Sequence, residues 1–490
     1  MNKFDYCTLE IIYTTFALLL LGFGAQYNRS FLSYGGSQVN IFSFVALYML
    51  VLLLTLIPYG PISTSDTSEE LFRNQPSNYI FTCFIILGTL VAIVSFQSYQ
   101  QKFKIGSFEY LVLTMFGSLG LIALDKANDL LLFYLSLELA SFCFYILSTY
   151  KRDSSYATEA GLKYFLLGAL GSGFLLFSIV LFYAIGATTN YQLLESLLLG
   201  LELSSGEVQM QRLATIFLAT ALLFKVASFP FHNWSLDVYE GAPISSVVFL
   251  TTVPKIGFIV ALVNFLFSVG IPHYETWQFL LLASGTSSIV WGAFAGIKQK
   301  RLKRFFAISG VVNIGFLVLG VACGSLQGIT SVVFYLISYV LTVFICWLLL
   351  VEESQITYRK LTLNLADVSK LGLQNSLLGI CFALMMLSFA GVPPLVGFLA
   401  KFTILLPLIN NSLSSLAVFL IGISLFSGFY YLRIVKIIYF EGVHDSVRGI
   451  KFYSQASWLI SYLFTLFIIM SCYPTSLLLL STAASLGLFV

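Results

Sequence analysis

What most limits the shape of this chain is a succession of apolar runs, each about the length a bilayer demands. A helix needs about 20 apolar residues to cross a hydrocarbon core of roughly 30 Å. Fourteen runs fit, at about residues 8–26, 40–58, 79–98, 107–124, 129–148, 161–185, 211–229, 243–269, 276–296, 304–323, 327–351, 374–409, 413–438 and 455–485. Only 10% of the 490 residues are charged and 58% are hydrophobic, against about 25% charged in a soluble domain. Water cannot solvate that much apolar surface. Lipid leaves helices or closed barrels as the only spanning structures, and runs of this length read as helices. The expected fold is therefore an all-α polytopic membrane protein of about 14 transmembrane helices.

The first run, Leu9–Gly24, lacks a small-residue cleavage site and reads as a spanning helix, not a removed signal. The cysteines (Cys7, Cys83, Cys143, Cys323, Cys346, Cys381 and Cys472) are scattered, mostly within apolar runs and without metal-ligand spacing. They read as small hydrophobes, not as disulfides or iron–sulfur ligands. A net charge of +3 without a basic stripe gives no reason to expect nucleic-acid binding. Gly168–Gly173, GALGSG, lies inside an apolar run with no strand before it. Close helix packing explains it better than a phosphate loop.

Lysine and arginine in short connections set the orientation of a membrane chain. Connections after odd-numbered runs hold Arg29; Lys102 and Lys104; Lys151, Arg152 and Lys163; and Lys298, Lys300, Arg301, Lys303 and Arg304. They continue with Arg359, Lys360 and Lys370, and end with Arg433, Lys436, Arg448 and Lys451. The N-terminus and the even connections hold only Lys3, Arg73, Lys126 and Arg212. The odd connections are thus expected on the cytoplasmic or matrix side. The run KQKRLKR at Lys298–Arg304 reads first as part of this signal, with anionic lipid, including cardiolipin, as a further partner.

Four charged residues fall inside the apolar runs, where charge is costly and so marks protein interior or a wet cavity. Glu138 sits in LLFYLSLELASFCFYIL, Lys225 in LLFKVASFPF, Lys255 in TTVPKIGFIVAL and Lys401 in FAGVPPLVGFLAKF. A lysine near a run's end can snorkel to the interface, which suits Lys401 and Lys225 better than the central Lys255. The alternative is a proton relay, with a carboxylate tuning a neighbouring amine. His232, just past Pro230, could join that relay or cap backbone groups freed by the proline. Asp237 and Glu240 read as loop and helix-start residues, and Asp125 and Asp129 as marks of the membrane edge. The seventh and twelfth runs look broken, near Pro230 and Pro393–Pro394. That suggests two five-helix repeats of opposite topology, as in transporters. The expected segments are 1–106 (three helices), 107–270 and 271–440 (the two repeats), and 441–490 (a last helix).

FKVASFPFHNWSLDVYEGAP, VPKIGF, KQKRLKRFFAISGVVNIGFLVLG, FAGVPPLVGFLAKF, GLKYFLLGALGSG and SLELASFCFYILSTY together resemble the antiporter-like membrane subunits of respiratory complex I, NADH:ubiquinone oxidoreductase. The resemblance is clearest over about residues 107–440, and the lysine of the eighth run points to the chain 2 branch, bacterial subunit N. It implies fourteen helices with two inverted five-helix repeats, and a relay of Glu138 paired with Lys225, then Lys255, then Lys401 near an exit. It also implies proton translocation driven by quinone reduction elsewhere. NADH, FMN, iron–sulfur clusters and ubiquinone would lie on other subunits, with no cofactor or metal in this chain. The implied partners are other membrane-arm subunits, including the neighbouring chain 4 and chain 4L. The implied place is the mitochondrial inner membrane with basic loops facing the matrix; 47 Phe and 27 Tyr fit an AT-rich organellar genome. A plastid or bacterial counterpart, a cation/proton antiporter of the Mrp type, and a purely structural spacer are the competing readings. The buried charges disfavour a spacer, which apolar residues would serve better.

Overall fold

In the computed structural model, residues 8–28, 37–56, 71–73, 75–103, 108–151, 153–200, 205–353, 364–369, 376–441 and 454–489 are described. Among them every regular element is helical. The helices are α1 (Thr8–Asn28), α2 (Ser37–Leu56), α3 (Pro76–Phe103), α4 (Glu109–Asp125), α5 (Leu130–Ser148) and α6 (Ser155–Gly186). Then come α7 (Tyr191–Gly200), α8 (Ser205–Val226), α9 (Asn233–Gly241), α10 (Ile244–Ser268), α11 (Tyr274–Ile297) and α12 (Leu302–Ala322). The last are α13 (Leu326–Glu353), α14 (Ser376–Ala390), α15 (Val396–Asn410), α16 (Ser414–Phe440), α17 (Ser454–Cys472) and α18 (Pro474–Phe489).

Nine helices among the described residues are long and apolar enough to cross a bilayer, or ten if one bent pair counts as a span. That pair, α17 and α18, meets at 91°, so the final run from 455 is not one straight helix. The run from 374 is likewise two helices of 15 residues each, about 22 Å apiece at 1.5 Å per residue and too short to cross alone. The expected boundary at 106/107 lies outside the described residues. So do Cys7, Lys3, Arg29, Lys104, Arg152, Arg359, Lys360, Lys370, Arg448 and Lys451.

The chain divides into two compact units. One holds the described residues of Met1–Val226, Gly241–Trp277 and Leu486–Val490; the other holds Ala227–Glu240 and those of Gln278–Ser485. Within the first, α10 is apolar all round and its spanning window is wholly buried, as expected of a helix with protein on every side. It packs against α3, α4, α5 and α8, while α6 lies along α8. Within the second, α12 and α13 are the buried centre, contacted by α14 and α15. The outer faces of α6 and α16 expose Leu166, Val180, Val418 and Phe429, apolar surface suited to lipid or a partner helix.

Two helices stop inside apolar sequence. α8 ends at Val226, where Ala227 takes φ 67°, and α14 ends at Ala390, where Gly391 takes φ 84°. The left-handed turn is the usual way to end a helix, because it turns the next amides back onto the last carbonyls. At Gly391 the pattern is complete: its N–H lies 3.0 Å from the Ser388 oxygen, and the Val392 N–H lies 3.1 Å from that of Leu387. The Phe229–Pro230 and Pro393–Pro394 peptides just beyond are cis. A Cβ at Gly391 would face Lys401 Cδ and Nζ at 3.2 and 3.3 Å. Gly391→Ala is therefore expected to destabilise by about 1–2 kcal/mol from the left-handed backbone alone. The thermal unfolding midpoint of the solubilised protein checks it: the variant should melt lower.

Candidate functional site

The lysines inside the apolar runs are buried: Lys225 is 5% exposed, Lys255 3% and Lys401 8%. None snorkels, because each ammonium ends against protein. Their partners are neutral oxygens, which accept hydrogen bonds from a cation without fixing it in an ion pair.

In the first unit, Lys255 on α10 donates to the carbonyl of Val226, the last residue of α8. Lys225, in the last turn of α8, donates to the Tyr145 hydroxyl at 3.3 Å, with the amine 5.8 Å from that ring's centre. Glu138 is one turn from Ser141 on α5. The Ser141 hydroxyl lies 3.3 Å from the Glu138 Oε2, and the other carboxylate oxygen is buried without a hydrogen-bond partner. Glu138 and Lys225 form no direct ion pair; Lys225 meets Tyr145 and Glu138 meets Ser141.

In the second unit, Lys401 on α15 donates to the carbonyls of Phe389 at 2.8 Å and Ala390 at 3.1 Å, the last residues of α14. Its amine lies 5.7 Å from the centre of the Phe316 ring. Beside it is a cavity of about 20 Å³, lined among others by Asn313, Tyr335, Thr342 and Ser388. That is room for about one water. Tyr335 donates to Asn313 at 2.7 Å, Asn313 donates to the Ser309 carbonyl at 2.9 Å, and Tyr431 and Ser309 share a hydroxyl contact of 2.9 Å. His232 is buried against Phe229 and Trp291, with ring centres 5.3 and 3.8 Å away, and neither ring nitrogen has a hydrogen-bond partner. At the break, the freed Phe229 N–H donates to Ser288 at 2.8 Å.

Two sets of charges between the long runs do something the sequence alone did not reveal, and Asp237 and Glu240 lie within the short helix α9, not in a loop or at a helix start. Asp237 and Glu240 hold the basic run: Arg304 reaches Asp237 at 3.1 Å and also pairs with Glu240, which Arg301 pairs with as well. Asp125 and Lys126 are each only 2% exposed, so they do not mark a wet edge. Lys126 pairs with Glu10 on α1. Asp129 caps α5 by accepting the Leu131 N–H at 2.7 Å. Tyr145 and Ser141 were also missed, although they follow Glu138 at i+7 and i+3, one face of a helix. Asn313 was legible as a lone amide in SGVVNIGF.

The structure is that of a bundle of apolar helices, and known proteins share this fold. Residues 127–427 match the family model described as NADH:quinone oxidoreductase/Mrp antiporter, transmembrane. The chain belongs to that family. NADH-ubiquinone oxidoreductase chain 2 of Marchantia polymorpha is 31% identical over 90% of both chains. The protein of the same name from Arabidopsis thaliana is 30% identical over 98% of this chain and 95% of its own. NADH-quinone oxidoreductase subunit N of Parvibaculum lavamentivorans is 34% identical over 90% of this chain and 89% of its own. Among solved structures, a chain of respiratory complex I from Thermus thermophilus superposes with a TM-score of 0.78 at 26% identity, over 96% of this chain and 98% of that one. A chain of the Mrp complex from Dietzia has a TM-score of 0.83 at 16% identity, over 100% of this chain and 98% of that one. The Dietzia likeness is one of fold.

Removing the amine of Lys401 strands the buried Phe389 carbonyl and the half-buried one of Ala390, and an unsatisfied buried polar group costs about 1–3 kcal/mol. Lys401→Met is expected to lower the thermal midpoint of the solubilised protein. Lys225→Met should lower it less, since the Tyr145 hydroxyl is the one hydrogen-bond partner it would lose.

Proposed function

We propose that this chain is the antiporter-like core subunit of a respiratory complex I in the mitochondrial inner membrane. In it, NADH-to-ubiquinone electron transfer on other subunits drives proton translocation through buried Glu and Lys residues. The relay residues are Glu138, Lys225 and Lys255 in the first unit, and His232 and Lys401 in the second. The proposal includes fourteen spans with two inverted five-helix repeats, basic loops facing the matrix, and other membrane-arm subunits as neighbours, chain 4 and chain 4L among them. NADH, FMN, iron–sulfur clusters and ubiquinone belong to those other subunits.

The observation that carries this is the burial of three lysines against neutral oxygens. A permanent ion pair would lock a proton in place; an ammonium on carbonyl or hydroxyl oxygens keeps its hydrogen bonds while leaving the proton exchangeable. Kinship with subunit N and chain 2 supports the same reading. Moving one proton against 100 mV costs roughly 2.3 kcal/mol, so the driving step must come from a partner.

The test is made in the assembled complex. Glu138→Gln and Lys225→Ala should leave a very large complex with NADH dehydrogenase activity on native gels, while proton translocation in sealed vesicles falls sharply. Normal pumping by the fully assembled variants would remove these residues from the relay. Ion exchange that persists without any NADH-linked enzyme would point to an Mrp-type antiporter instead.

A further inference from the structure

We propose that the open seam between α11 and α16, in the second unit, binds one anionic phospholipid. Its phosphate would lie on Arg433, Lys298 and Lys300, and its acyl chains along Phe294 and Phe426. The inference does not use the relay.

The basic run between α11 and α12 divides in two. Arg301 and Arg304 are taken up by Glu240 and Asp237 of α9, and Lys303 donates to the Glu240 carbonyl at 3.2 Å. Those charges are already answered by protein. Lys298 and Lys300 are exposed and meet no carboxylate among the described residues. Their backbone is nonetheless held: the Gln299 N–H lies 3.4 Å from the Gly296 carbonyl, and the Lys300 carbonyl accepts the Leu365 N–H at 2.9 Å. The two ammonium groups are therefore presented from a fixed turn.

A third cation joins them from α16. Arg433 donates through one Nη to the carbonyl of Ile297, the last residue of α11, at 3.1 Å. A guanidinium carries five N–H groups and suits a phosphate geometrically, and Arg433 is exposed. The neighbouring Lys436 pairs with Glu441 at 3.2 Å, so that carboxylate is occupied.

Below the cations the two helices touch without closing. A Cβ at Gly296 would lie 2.7 Å from the Tyr430 ring, so the backbones approach closely there. The rings of Phe294 and Phe426 meet with centres 5.9 Å apart, yet remain 52% and 44% exposed. Phe426, Phe429 and Arg433 stand at i, i+3 and i+7, one face of α16. Seven residues span about 10 Å at 1.5 Å per residue, the drop from a phosphate past the glycerol to the upper acyl chain. Tyr439 and Phe440 are exposed at the end of α16, and aromatic residues there mark the headgroup level. Apolar rings at acyl depth under unpaired cations at headgroup depth match an anionic lipid in both parts.

The experiment places the assembled complex in phosphatidylcholine nanodiscs. These carry a trace of a phospholipid with a photoreactive acyl chain, its headgroup either phosphatidylglycerol or phosphatidylcholine. Labelled peptides are mapped after illumination. Each cation near an anionic headgroup is worth about a fivefold preference, so the glycerol probe should label the seam about a hundredfold over the choline probe. The outer face of α6, at Leu166 and Val180, should take both alike. Lys298→Gln with Lys300→Gln alters only exposed side chains and should assemble; the preference should fall to about fivefold, and adding Arg433→Gln should erase it. Equal labelling of the seam by both probes would reduce it to ordinary boundary lipid and overturn the proposal. So would a preference that survives the double lysine variant. Labelling by neither probe would mean that a protein neighbour covers the seam, and would overturn it as well.

Discussion

The structure depends on how a lysine ammonium is satisfied in an interior that has no water to offer. At two places it lies on the carbonyl end of a helix that stops inside apolar sequence: Lys255 on Val226, and Lys401 on Phe389 and Ala390. Each solves two problems together. The last carbonyls of a helix have no intrahelical donor, and the negative end of the helix dipole favours a cation there. A break that would be ruinous in lipid becomes the solvent for a charge. The charge, in turn, makes the break tolerable.

Lys225 is treated differently. It meets the Tyr145 phenol, while Glu138 meets the Ser141 hydroxyl three residues along α5. Lys255 and Lys401 meet carbonyls, which can only accept. A phenol can accept from the amine and donate onward. Of the three, Lys225 is the lysine whose hydrogen-bond partner is a side-chain hydroxyl. In the second unit the comparable polarity is spread through Asn313, Tyr335, Ser309 and Tyr431, beside a cavity of about 20 Å³.

Much of this was legible in the sequence, because the constraint of the bilayer is severe. Run length and composition gave the helical class. Pro230 and Pro393–Pro394 marked both breaks, and the lysines stood out against apolar neighbours. What each amine touches was not legible, since it depends on tertiary contacts: Lys255 reaches back to another helix, and Lys126 finds Glu10 more than a hundred residues away. Asp125 looked like an edge residue because it falls between two runs, yet it and its neighbour Lys126 are covered by α10 and α1: Asn264 donates to the Asp125 carbonyl at 3.1 Å, and Glu10 pairs with Lys126. α7 and α9 are short, with 10 and 9 residues, and too brief to show a periodic signal. The bend at Tyr473–Pro474 follows the rule for proline, but a long apolar run masks it.

If buried side chains here give up and regain protons as the complex turns over, the carboxyl of Glu138 must change state in step with the reaction. Infrared difference spectra of the assembled complex, resting against turning over, address this without relying on pumping rates. The expected result is a carboxyl C=O band that appears on turnover, shifts in heavy water and is absent from Glu138→Gln. Spectra with no carboxyl change in the native complex, or a band that survives the substitution, would contradict a protonic role for this site.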